Sequence, residues 1–287
     1  MGKLRTNVDR LVMVSVQGEV APPIVRAPYR TGHDGVSRAG PGTGGITYNV
    51  RVGDRAVGWA GDHVEPGVST KHKDELANAG YNLLACIGNA ATAMSGAATG
   101  ARGVVTGKHG GIEHVLIDFV PEDLDKLAIG DKIQIKGYGQ GLELLDFPEI
   151  KVMNLDPGLL EAIAQQDGRK LVVPVTAVVP AVVMGSGLGA PSAERGDYDI
   201  TTQDEASIAE YGLGKLRLGD VVAIRDHSAS FGRSYRQGAV TIGVVIHCDS
   251  HIAGHGPGVT CLLTGDKSLL EPVVVAEANI ACHLDRR

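Results

Sequence analysis

The chain has 287 residues, a formal net charge of −6, 43% hydrophobic and 4% aromatic residues, and 40 glycines. That acidity, with no basic stripe and few rings on which bases could stack, excludes a nucleic-acid binder, and no run of about 18 apolar residues reads as a membrane span. Glycine at about twice its usual ~7%, without a Gly-X-Y period, marks tight turns and close backbone approaches rather than a fibre or a low-complexity tract.

Residues 11–20, LVMVSVQGEV, alternate apolar and polar and predict a first strand. The glycine-rich segment 31–45 is long for a loop without periodicity, a length that often carries function. A short strand is expected around Tyr48–Val52. From Lys73 to Met94, Leu76, Tyr81, Leu84, Ile87 and Ala91 recur at helical spacing, so the main helix of the first half is placed at 73–94. A strand at HVLIDF, a short helix at PEDLDKL, a strand at DKIQIKGYG and another near Val152 follow. Pro157 to Gln166 predicts a second helix with Gly168 just past its end. The apolar run 171–184 contains two internal prolines and reads as two short strands or one bent edge. A polar helix at Asp204–Tyr211 precedes strands at 221–225, 239–247, 258–263 and 272–276.

KLAIGDKIQIKG (126–137) and KLRLGDVVAIRD (215–226) are an internal repeat. Glycine permits the bend, aspartate caps it, and a half-buried strand follows, so the repeat reads as structural. The fold class expected is α+β and β-rich: two related β-barrel-like lobes, 1–155 and 156–287, closely packed, with a few helices. The opening MGKLRTNVDRLVMV lacks a signal peptide's layout, and Cys86, Cys248, Cys261 and Cys282 form no CxxC, which together read as a cytoplasmic protein with reduced thiols.

Three segments could carry chemistry. GKHGGIEH (107–114) holds Lys108, His109, Glu113 and His114 between glycines, and Gly110 and Gly111 would let a substrate approach the backbone. HCDSHIAGHGPG (247–258) places His247, His251 and His255 four apart, while its Gly-His-Gly-Pro-Gly run forbids a continuous helix. Three neutral imidazoles suit a divalent zinc, manganese or iron ion. In GDHVEPG (61–67), strand parity would put Asp62 and Val64 on one face and His63 and Glu65 on the other, which favours His63 with Glu65 as the functional pair. Each segment also has a plain reading as a polar turn. MGSGLGAP (184–191) lacks the spacing of a phosphate loop, and Ser186 is not in a G-x-S-x-G elbow, so it reads as a flexible loop lining the site.

The segments GVVTGKHGGIEHVLIDF, LAIGDKIQIKGYGQGLELLDFPEIKVMNLDP, MGSGLG, GDYDI, GAVTIGVVIH and AGHGPGVTCLLTG resemble the bacterial and archaeal family known as domain of unknown function 4438. The resemblance runs over nearly the whole chain, from about GDHVEPGVS to the LLTG strand, and it implies membership without implying an activity. AMSGAATGARG carries fewer charged residues than expected of relatives, which puts a role for that loop in doubt. The Leu-x-x-Gly-Asp strands with Gly-His loops are also similar to short patterns of the metal-dependent acetamidase/formamidase group.

The leading expectation is a metal-assisted enzyme that hydrolyses an amide or cyclic C–N bond of a small polar metabolite. His114, His251 and His255 are the expected metal ligands. Lys108, His109, Glu113 and Glu65 are the expected catalytic groups, with Glu65 or Glu113 activating water and Lys108 steadying an oxyanion. Gly110, Gly111, Gly256 and Ser186 are expected to line the substrate site. The alternatives are a metal-free lyase or isomerase using the same histidines, and a non-catalytic small-molecule binding protein. Homo-oligomerisation is expected from the frequency of symmetric assemblies among soluble proteins.

Overall fold

Along Lys132–Gly137 every second side chain is buried, as a strand with one face on a core requires. In the computed structural model, which describes residues 4–25, 27–187 and 192–284, that strand lies between Val14–Val20 and Ala90–Ala93. Pairing continues antiparallel through Arg102–His109, His114–Phe119 and Gly67–Lys71. Glu19 and Val20 then pair with Lys71 and Thr70. Among the described residues, six strands thereby close into a barrel, with Ile46–Thr47 attached to Gly67–Lys71. Val20, Val68, Ile117, Phe119, Ile133 and Ile135 fill it.

The second lobe is built on a sheet in the order Lys151–Val152, Gly258–Asp266, Ser234–His247, Val221–Ser228 and Ala177–Pro180, with Tyr198–Asp199 also pairing with Gly258–Asp266. A smaller sheet joins Gln165–Asp167, Lys170–Val175 and Leu270–Val274. The largest apolar cluster draws on both halves of the chain, from Ile87 and Leu116 to Val175, Ile242 and Leu262. The molecule is β-rich, as expected, and among the described residues no helix is long and apolar enough to cross a membrane.

The repeated turns do what their sequences require. Gly130 and Gly219 have φ of 87° and 83°, a region that a side chain disfavours. The Asp131 and Asp220 carboxylates accept from the amides of Ala128 and Arg217, each at 2.8 Å, and each turn feeds a barrel or sheet strand. The 171–184 run divides into two short strands as expected, Lys170–Val175 and Ala177–Pro180, before a short 3-10 turn. The break falls at Thr176, and Pro174 sits inside the middle strand of the small sheet, past the residues that pair with Gln165–Asp167.

Three elements differ from expectation. The main helix is Glu75–Leu84, capped at its start by Asp74, and residues Ala90–Ala93 are a barrel strand. The buried Asn89 side chain ends the helix: its Oδ1 accepts from the amides of Cys86 (2.9 Å) and Tyr138 (3.0 Å), while Gly88 turns at φ 99°. The strand expected at Tyr48–Val52 is instead Ile46–Thr47, because the Asp54 carboxylate accepts from the Arg51 amide and Gly53 bends the chain there. The second helix stops at Ile163, and Gly168 serves the hairpin joining Gln165–Asp167 to Lys170–Val175 rather than a helix end.

Candidate metal centre

The segment 61–66 is an irregular loop, not a strand, and His63 sits at φ 52°. The long glycine-rich loop holds it: the Asp62 amide donates to Pro41 O and the Glu65 amide to Gly42 O. A Cβ on Gly42 would collide with the backbone of Asp62 and Val64, so glycine is what lets the two loops touch. Within this loop Asp62 Oδ1 lies 3.2 Å from His63 Nδ1.

The segment 107–114 is the hairpin between two barrel strands, and His109 and His114 are register partners across it. Both rings turn onto Glu65, which is fully buried. Glu65 Oε1 lies 2.5 Å from His109 Nδ1, and Oε2 lies 3.0 Å from His114 Nδ1 while accepting from Ser69 Oγ and the Gly44 amide. Burial alone would push this carboxyl up, but the two imidazoles and these hydrogen bonds hold it well below the ordinary carboxylate range.

In the second lobe His247, Gly258 and Asp199 occupy one rung of three adjacent strands. A Cβ on Gly258 would fall on the Asp197 carboxylate and the His247 ring, so the absent side chain is the space in which they meet. His247 Nδ1 lies 2.8 Å from the Cys248 carbonyl and donates to it, while Nε2 faces Asp197 Oδ2 at 3.0 Å and Asp199 Oδ1 at 3.6 Å, contacts that a proton on Nε2 or a shared cation must bridge. His255 Nδ1 lies 2.9 Å from Asp199 Oδ2 and 3.1 Å from His63 Nε2.

The two Gly–His segments therefore meet, with the His109 and His247 ring centroids 4.4 Å apart. Donor atoms of His109, Asp197 and His247 converge within 4.8 Å of one another, as do those of His63, Asp199 and His247. Each of these imidazoles has its other nitrogen anchored: His109 by Glu65, His247 by a carbonyl and His63 by Asp62. Such anchoring fixes the tautomer and aims the remaining lone pair, the arrangement common around metal-binding histidines. Burial disfavours charge on His63, yet Asp199 and Asp62 raise its pKa to about 9, and Asp197 likewise raises that of His247. Burial opposes ionisation of Asp199, but His255 and His63 hold its pKa far below the ordinary range. The whole group is a focus of negative charge that attracts a cation or proton. It floors a cavity of about 220 Å³ whose wall includes Arg30, Gly110, Gly111 and Ser186.

The remaining expected residues divide by where their side chains go. Glu65 is fully buried with both oxygens bonded and does not line the cavity, so it is a positioning group for two imidazoles. The Gly110 amide donates to Asp197 Oδ1 (2.7 Å) and the Gly256 amide to Asp199 Oδ2 (3.3 Å), so both hold carboxylates in place. Lys108 leaves the strand on the opposite side from His109 and is buried against Asn154 Oδ1, Glu194 O and Leu83 O, away from the cavity. Glu113 pairs with Arg195 at 2.9 Å. His114 lies behind Glu65. The nearest approach of the His251 ring to this centre is 3.9 Å to Asp62 Oδ1, and it lines a neighbouring cavity. Of the MGSGLGAP loop, residues 188–191 lie outside the described residues. Asp197 and Asp199 are the ligand candidates that sequence reasoning missed. Their D-x-D spacing, which puts two carboxylates on one face of an extended segment, was the available signal.

Two family models cover nearly all of the chain, the N-terminal domain of DUF4438, a domain of unknown function, over residues 29–161 and its C-terminal domain over 160–284. The chain belongs to the DUF4438 family. It is also similar to a solved crystal structure, that of TM1086, at 52% identity and a TM-score of 0.95, with 99% of this chain and 100% of that one covered. No curated protein matches. Both DUF4438 domains contribute to the centre: His63 and His109 come from the first, and Asp197, Asp199, His247 and His255 from the second.

Proposed function

We propose that this protein is a metal-dependent hydrolase that cleaves an amide or cyclic C–N bond in a small polar metabolite. The observation that carries the reading is the convergence of anchored imidazoles from both domains on two buried aspartates at the floor of a cavity. Histidine nitrogen with carboxylate oxygen is a donor set suited to zinc, manganese or iron. A divalent ion held there would acidify a bound water and polarise the scissile carbonyl. Gly110 and Gly256 hold the aspartates through their amides, and Glu65 keeps the His109 lone pair aimed inward. Arg30, 2.7 Å from Asp62 and half exposed at the wall, is placed to pair with an anionic group of the substrate. The cavity's small volume favours a metabolite over a polymer. The described cysteines are free, which suits the reducing cytosol.

Metal analysis before and after chelation, joined to a screen of amides and cyclic imides, tests the reading. Bound metal, and turnover that chelation abolishes and metal restores, is the expected outcome. H109A or H255A should abolish turnover while leaving the circular dichroism spectrum unchanged, and undiminished turnover in H109A would overturn the assignment. A metal-free lyase is the second reading, favoured by the same His–Asp contacts acting as proton carriers. Turnover that survives complete removal of metal would select it.

A further inference from the structure

Asp199 presents its two oxygens to two different sets of donors. Oδ2 is 2.9 Å from His255 Nδ1 and 3.5 Å from His63 Nε2, and those two nitrogens are 3.1 Å apart. Around a tetrahedral ion with bonds of about 2.0–2.1 Å the donors lie roughly 3.4 Å from one another, so this triangle has the size of one coordination sphere. Oδ1 instead faces His247 Nε2 at 3.6 Å, and His247 Nε2 faces Asp197 Oδ2 at 3.0 Å, with the His109 donor completing that group.

The rings themselves separate the two sets. His63 and His109 are stacked, with an interplanar angle of 11° and centroids 5.8 Å apart. An imidazole lone pair lies in the ring plane, and two nearly parallel planes offer no common point between the rings for one ion. His63 and His109 accordingly fall in different donor groups. Charge allows either stoichiometry: the buried carboxylates of Asp62, Glu65, Asp197 and Asp199, less the positive charge of Arg30 on Asp62, are brought equally close to neutrality by one divalent ion or by two, so the ring geometry carries the separation.

We propose that the centre is dinuclear, one divalent cation held by His63, His255 and Asp199 Oδ2 and a second by His109, His247 and Asp197, with Asp199 bridging them through Oδ1. Carboxylate-bridged pairs lie about 3.5–4 Å apart and can clamp both the attacking and the leaving group of a hydrolysis. This rests on the reading of the site as a metal centre and adds its stoichiometry and bridge.

The test is a titration of the metal-stripped full-length protein with Mn²⁺, read by elemental analysis after gel filtration and by electron paramagnetic resonance. Two Mn²⁺ per chain with an exchange-coupled signal is the expected result. H63A and H109A should each fall from two ions to one and show an uncoupled six-line signal, and D199N should lose the coupling. One ion per wild-type chain would overturn the dinuclear proposal and leave the metal-dependent reading standing, while no ion at any concentration would overturn both. Two ions without exchange coupling would overturn the Asp199 bridge.

Discussion

Glu65 shows how a buried carboxylate can serve a site without facing it. Both its oxygens are occupied by His109, His114, Ser69 and Gly44, so its charge acts through the His109 ring. E65Q keeps the shape and removes the charge. Isothermal titration should show metal affinity reduced about 10–100-fold with the fold intact, the size found when such outer partners are altered. Lys108 gives a prediction of a different kind. Burial pushes its ammonium down to about 8, partly offset by Cys86 and Glu194. Between pH 8 and the ordinary lysine range the unfolded chain holds a proton that the native chain has released. The Lys108 contribution to stability therefore rises with pH through that window, and its cost is fully present below it. K108M removes the titrating ammonium. Urea denaturation at pH 7.5 and 10 should show the wild-type-minus-variant stability difference growing with pH by up to roughly 3 kcal/mol. A pH-independent difference would show that Lys108 is not shifted.

At the scale of elements, the sequence was most legible where a local rule acted alone. The two Gly-Asp turns, the division of the 171–184 run into two short strands, and the polar helix Glu205–Tyr211 with its Asp204 cap all follow from residues within a few positions of one another. The overlong helix is instructive for the opposite reason. Ile87 and Ala91 continue the helical spacing, but Asn89 trades helical bonds for contacts with Tyr138 O and Asp156 Oδ2, both 2.8 Å away and many residues distant. N89A would strand several buried backbone groups. Thermal or chemical unfolding should show a loss of about 2–4 kcal/mol. A change under 0.5 kcal/mol would mean that something else ends the helix.

At the scale of the molecule, the barrel and the second sheet meet where Gly107 rests on Ile246, and a Cβ on Gly107 would come within 2.5 Å of the Ile246 side chain. Gly107 and Ile246 are neighbours in sequence of His109 and His247, so this contact sets the distance between the two halves of the site. G107V should cost about 1–3 kcal/mol by overpacking, and should also weaken metal binding because it pushes the two histidines apart. Metal affinity unchanged at reduced stability would separate packing from site geometry. By itself the sequence determined the β-rich class, the repeated turns, and the two Gly–His segments as the places where chemistry gathers. Those follow from side-chain alternation, glycine conformation and residue chemistry, all local. Which histidines face one another was decided only by tertiary structure. Strand register sets His109 and His114 side by side on Glu65 and turns Lys108 away from the cavity, and the rung His247–Gly258–Asp199 brings in carboxylates some 50 positions away in the chain. Such pairings depend on strand register and sheet contact, to which no short stretch of residues is sensitive.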